Sequence, residues 1–259
     1  MLIDVHCHLH HCYFDKDRDA VVSRAKEIGI KVIINNGLNP SSNRKTLELC
    51  EKYGIVKAAL GIYPTEILTE ELKKKGWNYE QFDVHEELDF IKKNKNKIIA
   101  IGEIGLDDHH FKGTLKVQEE LFRKQLELAE KIKKPVIIHS RDAESRVIEV
   151  LQDYKLKVVM HSFAGTEEDI KKAVDHGCYF TIPVSVVRNK NFQELVSKIS
   201  TSRILTETDA PYLGLKHGER NEPANIQYSV NKIAEIKQLT VEEMQNIIYG
   251  NYKRCFEMK

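Results

Sequence analysis

The sequence predicts a single-domain α/β protein of the (β/α)8 TIM-barrel type. Short β-branched apolar segments alternate with longer amphipathic ones along the whole chain. Most of the short segments are apolar throughout, which is typical of parallel strands buried on both faces. Eight such pairs in 259 residues match the usual size of this barrel. The predicted domain therefore covers residues 1–259.

Eight strands are predicted from the β-branched apolar runs. In chain order they are Leu2–Cys7, Lys31–Asn35, Val56–Gly61, Ile98–Gly102, Val136–His139, Lys157–His161, Cys178–Ile182 and Arg203–Thr206. The longest irregular stretch, Ile62–Asp83, follows the third strand. In a barrel it would be an enlarged loop on the face where active sites form.

The clearest helix pattern covers Val117–Ile132, with apolar residues at three- to four-residue and seven-residue spacing. Thr114 is a candidate cap, and Pro135 would stop the chain from continuing as a helix. The other predicted helices are Asp17–Ile28, Ser42–Lys52, Val84–Asn94, Asp142–Tyr154, Glu167–His176, Phe192–Ser200, Ile226–Ile236 and Val241–Phe256. An open doubly wound sheet is the alternative fold, but it usually has a glycine-rich phosphate loop after its first strand. Here the first strand ends in histidines instead.

Composition restricts the kinds of partner. The formal net charge is +1, which excludes a strong overall field as the basis of nucleic-acid or membrane binding. No run approaches the about 18 apolar residues of a membrane span, so no membrane partner is expected. Five scattered cysteines, an odd number, favour a reducing compartment. The first residues lack the basic flank and apolar core of a secretory signal. Both features predict a cytoplasmic protein.

Side chains that can bind metals stand at the ends of five predicted strands. They are His6, His8, Glu103, His139, His161 and Asp209. His6 and His8 point to the same side of their strand, because side chains alternate along a strand. The ends of barrel strands converge at one mouth. These donors could therefore hold two divalent cations bridged by a carboxylate, an arrangement that activates water.

Each of these residues also has a structural interpretation. A lone histidine at a strand end is usually a hydrogen-bonded structural residue. Six donors at successive strand ends favour a metal site, and a buried carboxylate is costly unless it is paired or metal-bound. His10, His11, His109 and His110 could line the mouth or be solvated loop residues. Cys7 is expected to point away from its neighbouring histidines.

The sequence resembles the TatD family of metal-dependent deoxyribonucleases, which are amidohydrolase-like metal-dependent hydrolases. The matching motifs occur in family order and cover almost the whole chain. They are D-V-H-C-H at 4–8, I-G-E-I-G-L-D at 101–107, P-V-I-I-H-S-R-D-A at 135–143, H-S-F-A-G at 161–165, T-E-T-D-A-P-Y-L at 206–213 and R-N-E-P-A at 220–224.

The resemblance implies a two-metal site. His6, His8, Glu103 and Asp209 would hold the first ion, and Glu103 would bridge to a second ion held with His139 and His161. Two positions depart from the family pattern. Tyr63 stands where many members have histidine in a G-x-H-P loop, and Ser162 replaces a common cysteine.

Further residues are candidates for substrate binding and orientation. Glu103 and Asp209 are the predicted catalytic residues, with Asp209 as the general base that takes a proton from water. Arg141 and Arg220 are candidate phosphate anchors, since an arginine fork suits a phosphate. Glu207 and the pair Asn221–Glu222 could orient ligands, although packing or capping roles are comparable alternatives.

The resemblance, rather than the composition, implies a DNA substrate. A barrel mouth suits a strand end or a single strand, so the expected activity is a 3′–5′ exonuclease. The alternatives are an ester or amide hydrolase, such as a deacylase of misacylated tRNA, and a non-catalytic scaffold stabilised by metal. The expected cofactors are two divalent cations (zinc, manganese or magnesium). We expect a monomer or weak oligomer, with no obligate protein partner.

Overall fold

A computed structural model describes residues 1–257, so the last two residues of the predicted domain lie outside the described part. Eight parallel strands form one sheet whose spatial order follows the chain order. The strands are β1 (Leu2–Cys7), β2 (Ile30–Asn36), β3 (Val56–Leu60), β4 (Ile98–Asp107), β5 (Val136–Arg141), β6 (Val158–Met160), β7 (Tyr179–Ile182) and β8 (Ile204–Thr206). This sequential order confirms the barrel prediction. A doubly wound sheet would instead reverse its strand order partway.

Backbone and side-chain hydrogen bonds join the two ends of the sheet. The His8 amide donates to the Ala210 carbonyl over 2.8 Å, and the Asp209 amide donates to the His6 carbonyl over 2.9 Å. Deeper in the seam, the Asp4 carboxylate accepts from the Thr208 amide and hydroxyl. Burial raises the pKa of Asp4 to about 8, although these hydrogen bonds act to lower it. The seam therefore brings the residues after β8 beside those after β1.

Ten α-helices alternate with or follow the strands within residues 1–257. They are α1 (Arg18–Glu27), α2 (Pro40–Lys52), α3 (Thr69–Lys74), α4 (Val84–Lys93), α5 (Leu115–Ile132), α6 (Glu144–Leu151), α7 (Glu167–Asp175), α8 (Lys190–Lys198), α9 (Ile226–Lys237) and α10 (Val241–Phe256). Within residues 1–257, no helix combines the length and apolarity needed to cross a membrane. The stretch Ile62–Asp83, predicted as a loop, contains the short α3.

Helix boundaries differ from the prediction where side chains or backbone angles decide them. Helix α2 starts two residues early, because Asn39, just before Pro40, forms a capping box with Ser42 in the first turn. Helix α6 starts two residues late, since Asp142 has a φ of +55° and cannot be helical. Thr114 stands at the N-cap of α5, but its hydroxyl donates to the Phe111 carbonyl and does not cap the helix.

The core fills the barrel and the layer between barrel and helices. Helix α5 buries Leu121, Phe122, Leu126 and Ala129 on one face. Fully burying a leucine or phenylalanine side chain stabilises the folded state by about 1.5–3 kcal/mol. Cys7 is fully buried in this core, with its Sγ 3.7 Å from the Ala210 carbonyl oxygen. The core thus fixes the strand ends from which the candidate site projects.

Strand β4 is longer than predicted, running through Asp107 where the prediction stopped at Gly102. The strand approaches β5 so closely at Gly105 that a Cβ there would lie 1.9 Å from the His139 carbonyl oxygen. Gly105 also has a φ of +144°, which side chains disfavour. Glycine therefore lets the strand continue, so that Glu103 and Asp107 both reach the barrel mouth.

Candidate metal centre

Four side chains converge at the mouth where β1 meets the residues after β8. The Nε2 atoms of His6 and His8 are 3.1 Å apart. The Glu103 Oε2 atom lies 3.3 Å from His6 Nε2 and 3.5 Å from His8 Nε2. The Asp209 Oδ1 atom lies 3.6 Å and 3.4 Å from the same two nitrogens. All four side chains are buried or nearly so.

His6, His8 and Glu103 form a group of donors close enough together to hold one ion, and Asp209 lies beside its two histidines. Four ligands placed about 2.0–2.1 Å from an ion at tetrahedral angles lie about 3.3–3.4 Å from one another. The five nitrogen–nitrogen and nitrogen–oxygen separations in this group run from 3.1 to 3.6 Å. The donor set of two imidazoles and two carboxylates suits a divalent cation such as zinc or manganese. The residues therefore fit a bound cation.

A second group shares Glu103 with the first. Its other oxygen, Oε1, is 3.0 Å from His139 Nδ1 and 3.9 Å from His161 Nε2. Glu103, His139 and His161 can each turn one donor atom toward a common point. Because the two Glu103 oxygens face different groups, this carboxylate is placed to bridge two cations. Three protein ligands would leave coordination positions open, as in catalytic sites.

The outer nitrogen of three histidines is held by a hydrogen-bond acceptor. His8 Nδ1 lies 3.0 Å from the Asn36 carbonyl, which can only accept, so His8 donates there and its Nε2 is free to bind a cation. His161 Nδ1 lies 2.6 Å from Glu207 Oε2. His139 Nε2 lies 3.0 Å from Asp107 Oδ2. Such outer contacts commonly orient metal-binding imidazoles.

Asp107 is a site residue that the sequence reasoning missed. It is fully buried at the end of β4, and its Oδ1 also accepts from the His109 and His110 amides. The signal was present in the sequence, since Asp107 closes the same glycine-rich motif as Glu103.

Tyr63, the departure from the family pattern, lies at this second group. Its Oη is 3.1 Å from Asp107 Oδ2 and 3.1 Å from His139 Nε2. Burial and the negative charge of Glu103 raise the pKa of Tyr63 well above its usual value, so the hydroxyl keeps its proton and donates to Asp107. The other departure, Ser162, lies just after His161 with its amide donating to Thr181.

Electrostatics make the cluster attractive to cations. Burial alone would raise the pKa of Glu103, but the charge of His6 and hydrogen bonds from His139 and His6 hold it well below its ordinary value. Burial likewise opposes ionisation of Asp209, but the hydrogen bond from His8 and the nearby histidines lower its pKa. Both predicted catalytic carboxylates are therefore anionic at neutral pH.

For three of the histidines the pKa is raised, whereas the pKa of each carboxylate above is lowered. Burial disfavours protonation of His161, but the charge and hydrogen bond of Glu207 raise its pKa to about 10. Burial also opposes protonation of His8 and His139, and neighbouring carboxylates raise the pKa of each. His6 differs, because burial and the charge of His161 lower its pKa. Cation binding must displace the protons on the raised histidines.

The predicted phosphate anchors differ in their surroundings. Arg141 ends β5, two residues after His139, and its side chain is exposed; among residues 1–257 it forms no ion pair. Arg220 forms a fork to Asp17, with nitrogen–oxygen distances of 2.8 and 2.6 Å, and donates to the Tyr13 carbonyl. Arg141 is therefore the freer of the two.

The predicted orienting residues also differ. The Glu207 carboxylate is fully buried, and its Oε2 accepts from Thr181 and from His161, one of the six predicted ligands. Glu222 instead forms a two-point ion pair with Arg24, at 2.8 and 2.5 Å, so the structure does not bring its carboxylate to the cluster. Asn221 donates to the Thr208 carbonyl and ties its loop to the residues before Asp209.

The four other candidate histidines lie around the mouth. His10 is half-buried and contacts Asn35, while His109 pairs with Asp142 over 2.8 Å. His110 Nδ1 lies 3.4 Å from Asp107 Oδ1. The ring of His11 lies between those of Tyr13 and Tyr212. None of these four belongs to the groups of donors that could hold an ion.

Comparison with known proteins gives matches over almost the whole chain. A family model described as TatD related DNase matches residues 3–257. An uncharacterized metal-dependent hydrolase from Methanocaldococcus jannaschii is 33% identical over 99% of this chain and 97% of its own length. The 3′-5′ ssDNA/RNA exonuclease TatD of Citrobacter koseri is 30% identical over 90% of each chain. The crystal structure of the TatD homolog YjjV from Escherichia coli superposes with a TM-score of 0.88 at 25% identity, covering 100% of this chain and 98% of that one.

Proposed function

Because this chain belongs to the TatD related DNase family, we propose that it hydrolyses phosphodiester bonds of DNA with two divalent cations, trimming single strands from a 3′ end. The family is one of metal-dependent hydrolases. The observation that carries the proposal is the position of Glu103, whose two oxygens face two separate groups of donors. Bridging carboxylates of this kind hold paired ions that act on one phosphate.

In the proposed reaction the protein supplies charge, orientation and a base. Two bound cations would lower the pKa of water and neutralise charge on phosphoryl oxygens. The Asp209 carboxylate, anionic at neutral pH, takes the proton from the attacking water. Glu103 keeps the two groups of donors at a fixed separation. Glu207 and Asp107 hold His161 and His139 in the ring orientation that ligation needs.

Substrate contacts fall mainly to Arg141. Its exposed guanidinium follows His139 on β5 and is free to form a fork with a phosphate. Arg220 would have to leave Asp17 before its guanidinium could bind a phosphate. Glu222 acts through Arg24 by holding the loop that carries Arg220.

Single strands and 3′ ends are proposed from the charge, the shape and a relative. A net charge of +1 does not support tight non-specific duplex binding, which needs many basic contacts. The metal-binding side chains lie in the mouth of a barrel, which a strand end enters more readily than the middle of a duplex. The Citrobacter koseri relative is named as a 3′-5′ ssDNA/RNA exonuclease.

The proposed cellular location is inferred from the state of the cysteines. All five cysteines are free, and burial raises the pKa of Cys178 and Cys255 to about 12. A reducing cytoplasm suits such a protein. For the cofactors we propose zinc, manganese or magnesium, and for the assembly a monomer or weak oligomer.

The test uses single-stranded DNA labelled at the 3′ or the 5′ end, with magnesium, manganese and zinc supplied separately. The wild type should release nucleotides from the 3′ end only when metal is present. Asp209→Ala should lose the activity, while the matched control Asp153→Ala, at an exposed carboxylate paired with Arg123, should keep it. Metal content and circular dichroism of both variants show whether they fold.

If the wild type binds two metals per chain but cuts no DNA, the nuclease proposal is rejected. Carboxylic esters and amides, including aminoacyl-tRNA, would then be the substrates to assay, because the same donors can activate water against a carbonyl carbon. Bound metal without turnover of any ester would indicate a scaffold stabilised by metal.

A further inference from the structure

A cavity of about 690 Å³ opens beside the metal-ligand cluster. Its walls come from the turn after β1, the segment after β7 and the loop after β8. Tyr13, Arg188, Tyr212 and Lys216 are among the lining residues. The cavity lies next to the candidate site, since Tyr212 is one of its lining residues and the Tyr212 ring centre lies 6.3 Å from that of His8. A strand with one phosphate at Asp209 would have room for a neighbouring nucleotide here.

Aromatic rings lead from the cluster into this cavity. The Tyr212 ring centre lies 6.3 Å from that of His8 and 5.8 Å from that of His11. The His11 ring centre lies a further 4.5 Å from that of Tyr13. Tyr212 and Tyr13 are 49% and 60% exposed, unusually open for large apolar rings. We call Tyr212, His11 and Tyr13 the aromatic path. Exposed rings in series are platforms on which unpaired bases stack.

Arg188 and Lys216 bring positive charge to the cavity lining, which also includes Glu219. Arg188 donates to the Gly214 and Leu215 carbonyls, each over 3.1 Å, and contacts His217 Nε2 at 3.2 Å. Among residues 1–257, neither Arg188 nor Lys216 has a carboxylate within ion-pair distance. The loop carbonyls therefore fix the Arg188 guanidinium without cancelling its charge. Such a cation is suited to a phosphate of a nucleic-acid backbone.

A second exposed ring at the mouth lacks this combination. Trp77 is 44% exposed, with its ring centre 5.3 Å from that of His110 and 5.5 Å from that of Phe111. Phe111 is buried, and the Lys75 ammonium covers its ring at 4.6 Å. The ring of His109 follows that of His110 at a centre distance of 4.8 Å, but Trp77 does not line the cavity of about 690 Å³, so this side serves as the comparison surface.

We propose that the cavity is a subsite for the nucleotide next to the scissile phosphate. The base of that nucleotide stacks on the aromatic path, and its backbone phosphate meets Arg188 and Lys216. The occupant is a single strand, because a base inside a duplex cannot present its face to a tyrosine. The inference rests on the proposed function, and it deepens that function by naming where the rest of the substrate binds.

The test measures binding separately from cleavage. Metal-loaded protein is titrated with a short fluorescein-labelled single strand whose phosphorothioate linkages resist hydrolysis, and anisotropy is recorded. The double variant Tyr13→Ala/Tyr212→Ala should bind at least about fivefold more weakly, the low end of the effect of losing one stacked base. Tyr13→Phe/Tyr212→Phe, which keeps the rings, should restore binding. Tyr228→Ala, at an exposed tyrosine on α9 outside the cavity, is the matched control.

The salt dependence of binding tests the basic residues of the cavity separately. Lys216→Met should reduce the slope of log affinity against log salt concentration by about one, as expected for one lost phosphate contact. Wild-type binding by the double alanine variant would overturn the proposal. The proposal would also be overturned if the phenylalanine double variant lost as much affinity as the alanine double variant. A loss of affinity found only in Trp77→Ala would overturn it too.

Failure of the subsite and failure of the nuclease function give different results. If the wild type cleaves labelled DNA while the alanine and phenylalanine variants bind as it does, the subsite is rejected and the function stands. If the wild type cleaves no DNA but its binding depends on the aromatic path, the nuclease function is rejected and the subsite stands as a nucleic-acid surface.

Discussion

At the scale of single residues, the orientation of two histidine rings in the cluster depends on carboxylates that lie behind the rings, on the side away from the candidate metal positions. Asp107 and Glu207 each hold the outer nitrogen of a predicted ligand. The buried carboxylates and imidazoles therefore form one coupled network. In such networks, removing an outer partner changes metal affinity without removing a donor.

Asp107→Asn tests this coupling. The amide cannot provide the anionic acceptor that fixes the His139 ring, so we expect metal affinity or activity to fall about 10- to 100-fold. Isothermal titration calorimetry with the metal measures the loss of affinity. Asp108→Asn, at the adjacent carboxylate outside the groups of donors that could hold an ion, is the control. Unchanged affinity in Asp107→Asn would show that Tyr63 and packing suffice to hold the ring.

The pKa of His161 predicts how pH acts on the metal-free protein. Its pKa is about 10 in the folded state against an ordinary value of 6.5. A group whose pKa rises on folding stabilises the fold fully below the unfolded value, and this contribution is lost as pH rises through the folded value. Metal-free protein should therefore lose stability between about pH 6.5 and pH 10, as followed by urea unfolding.

The variant His161→Gln isolates this contribution. It should flatten the decline over the same interval, because glutamine binds no proton there. A metal-free wild type whose unfolding free energy rises across this interval would contradict the assignment of the proton to His161.

At the scale of secondary-structure elements, β4 shows how a strand can carry two functional carboxylates. Glu103 and Asp107 are four residues apart, so both can face the same side of one strand. The close approach of β4 to β5 at Gly105 keeps His139 within reach of both carboxylates. Glycine is required there for space as well as for backbone angle.

Gly105→Ala should therefore be strongly destabilising. The new Cβ would meet the His139 carbonyl oxygen at 1.9 Å, and backbone atoms cannot move aside cheaply. Gly113→Ala is the matched control, since Gly113 also has a positive φ but open space around its Cβ position. We expect the control to cost about 1 kcal/mol from backbone strain alone, and Gly105→Ala to cost clearly more in denaturant unfolding. Equal losses would show that strain, and not crowding, explains the glycine.

At the scale of the whole molecule, the site draws donors from distant parts of the chain. His6 and Asp209 are separated by most of the sequence, yet their side chains lie 3.6 Å apart across the seam between β1 and β8. Two cations, one in each group of donors, would tie together β1, β4, β5, the end of β6 and the loop after β8. Metal binding and barrel stability should therefore be linked.

Removing metal should lower the thermal midpoint of unfolding. A ligand present at 100 times its dissociation constant stabilises the native state by about 2.7 kcal/mol. Differential scanning calorimetry of chelator-treated and reloaded protein measures the shift. The double variant His6→Gln/His8→Gln should show a smaller shift than the wild type. An identical thermal midpoint with and without metal would mean that metal binding does not stabilise the barrel.

The sequence by itself determined the barrel and the six predicted ligands, because these depend on local signals. Strand and helix periodicity is a property of neighbouring residues, and each predicted ligand stands at or near the end of a predicted strand. The element boundaries followed the same signals within a few residues, apart from the longer β4 and the short helix α3. The roles of the ligands in binding metal stay predictions that the geometry supports.

Only the tertiary structure decided which side chains meet across the barrel. The contact of Asp107 with His139, the position of Tyr63 and the pairing of Glu222 with Arg24 join residues 32, 76 and 198 positions apart in the chain. No local pattern encodes such contacts, since they arise from the register between strands and the paths of separate loops. The same holds for the aromatic path, whose rings come from the ends of β1 and β8 and are brought together by the closing of the sheet.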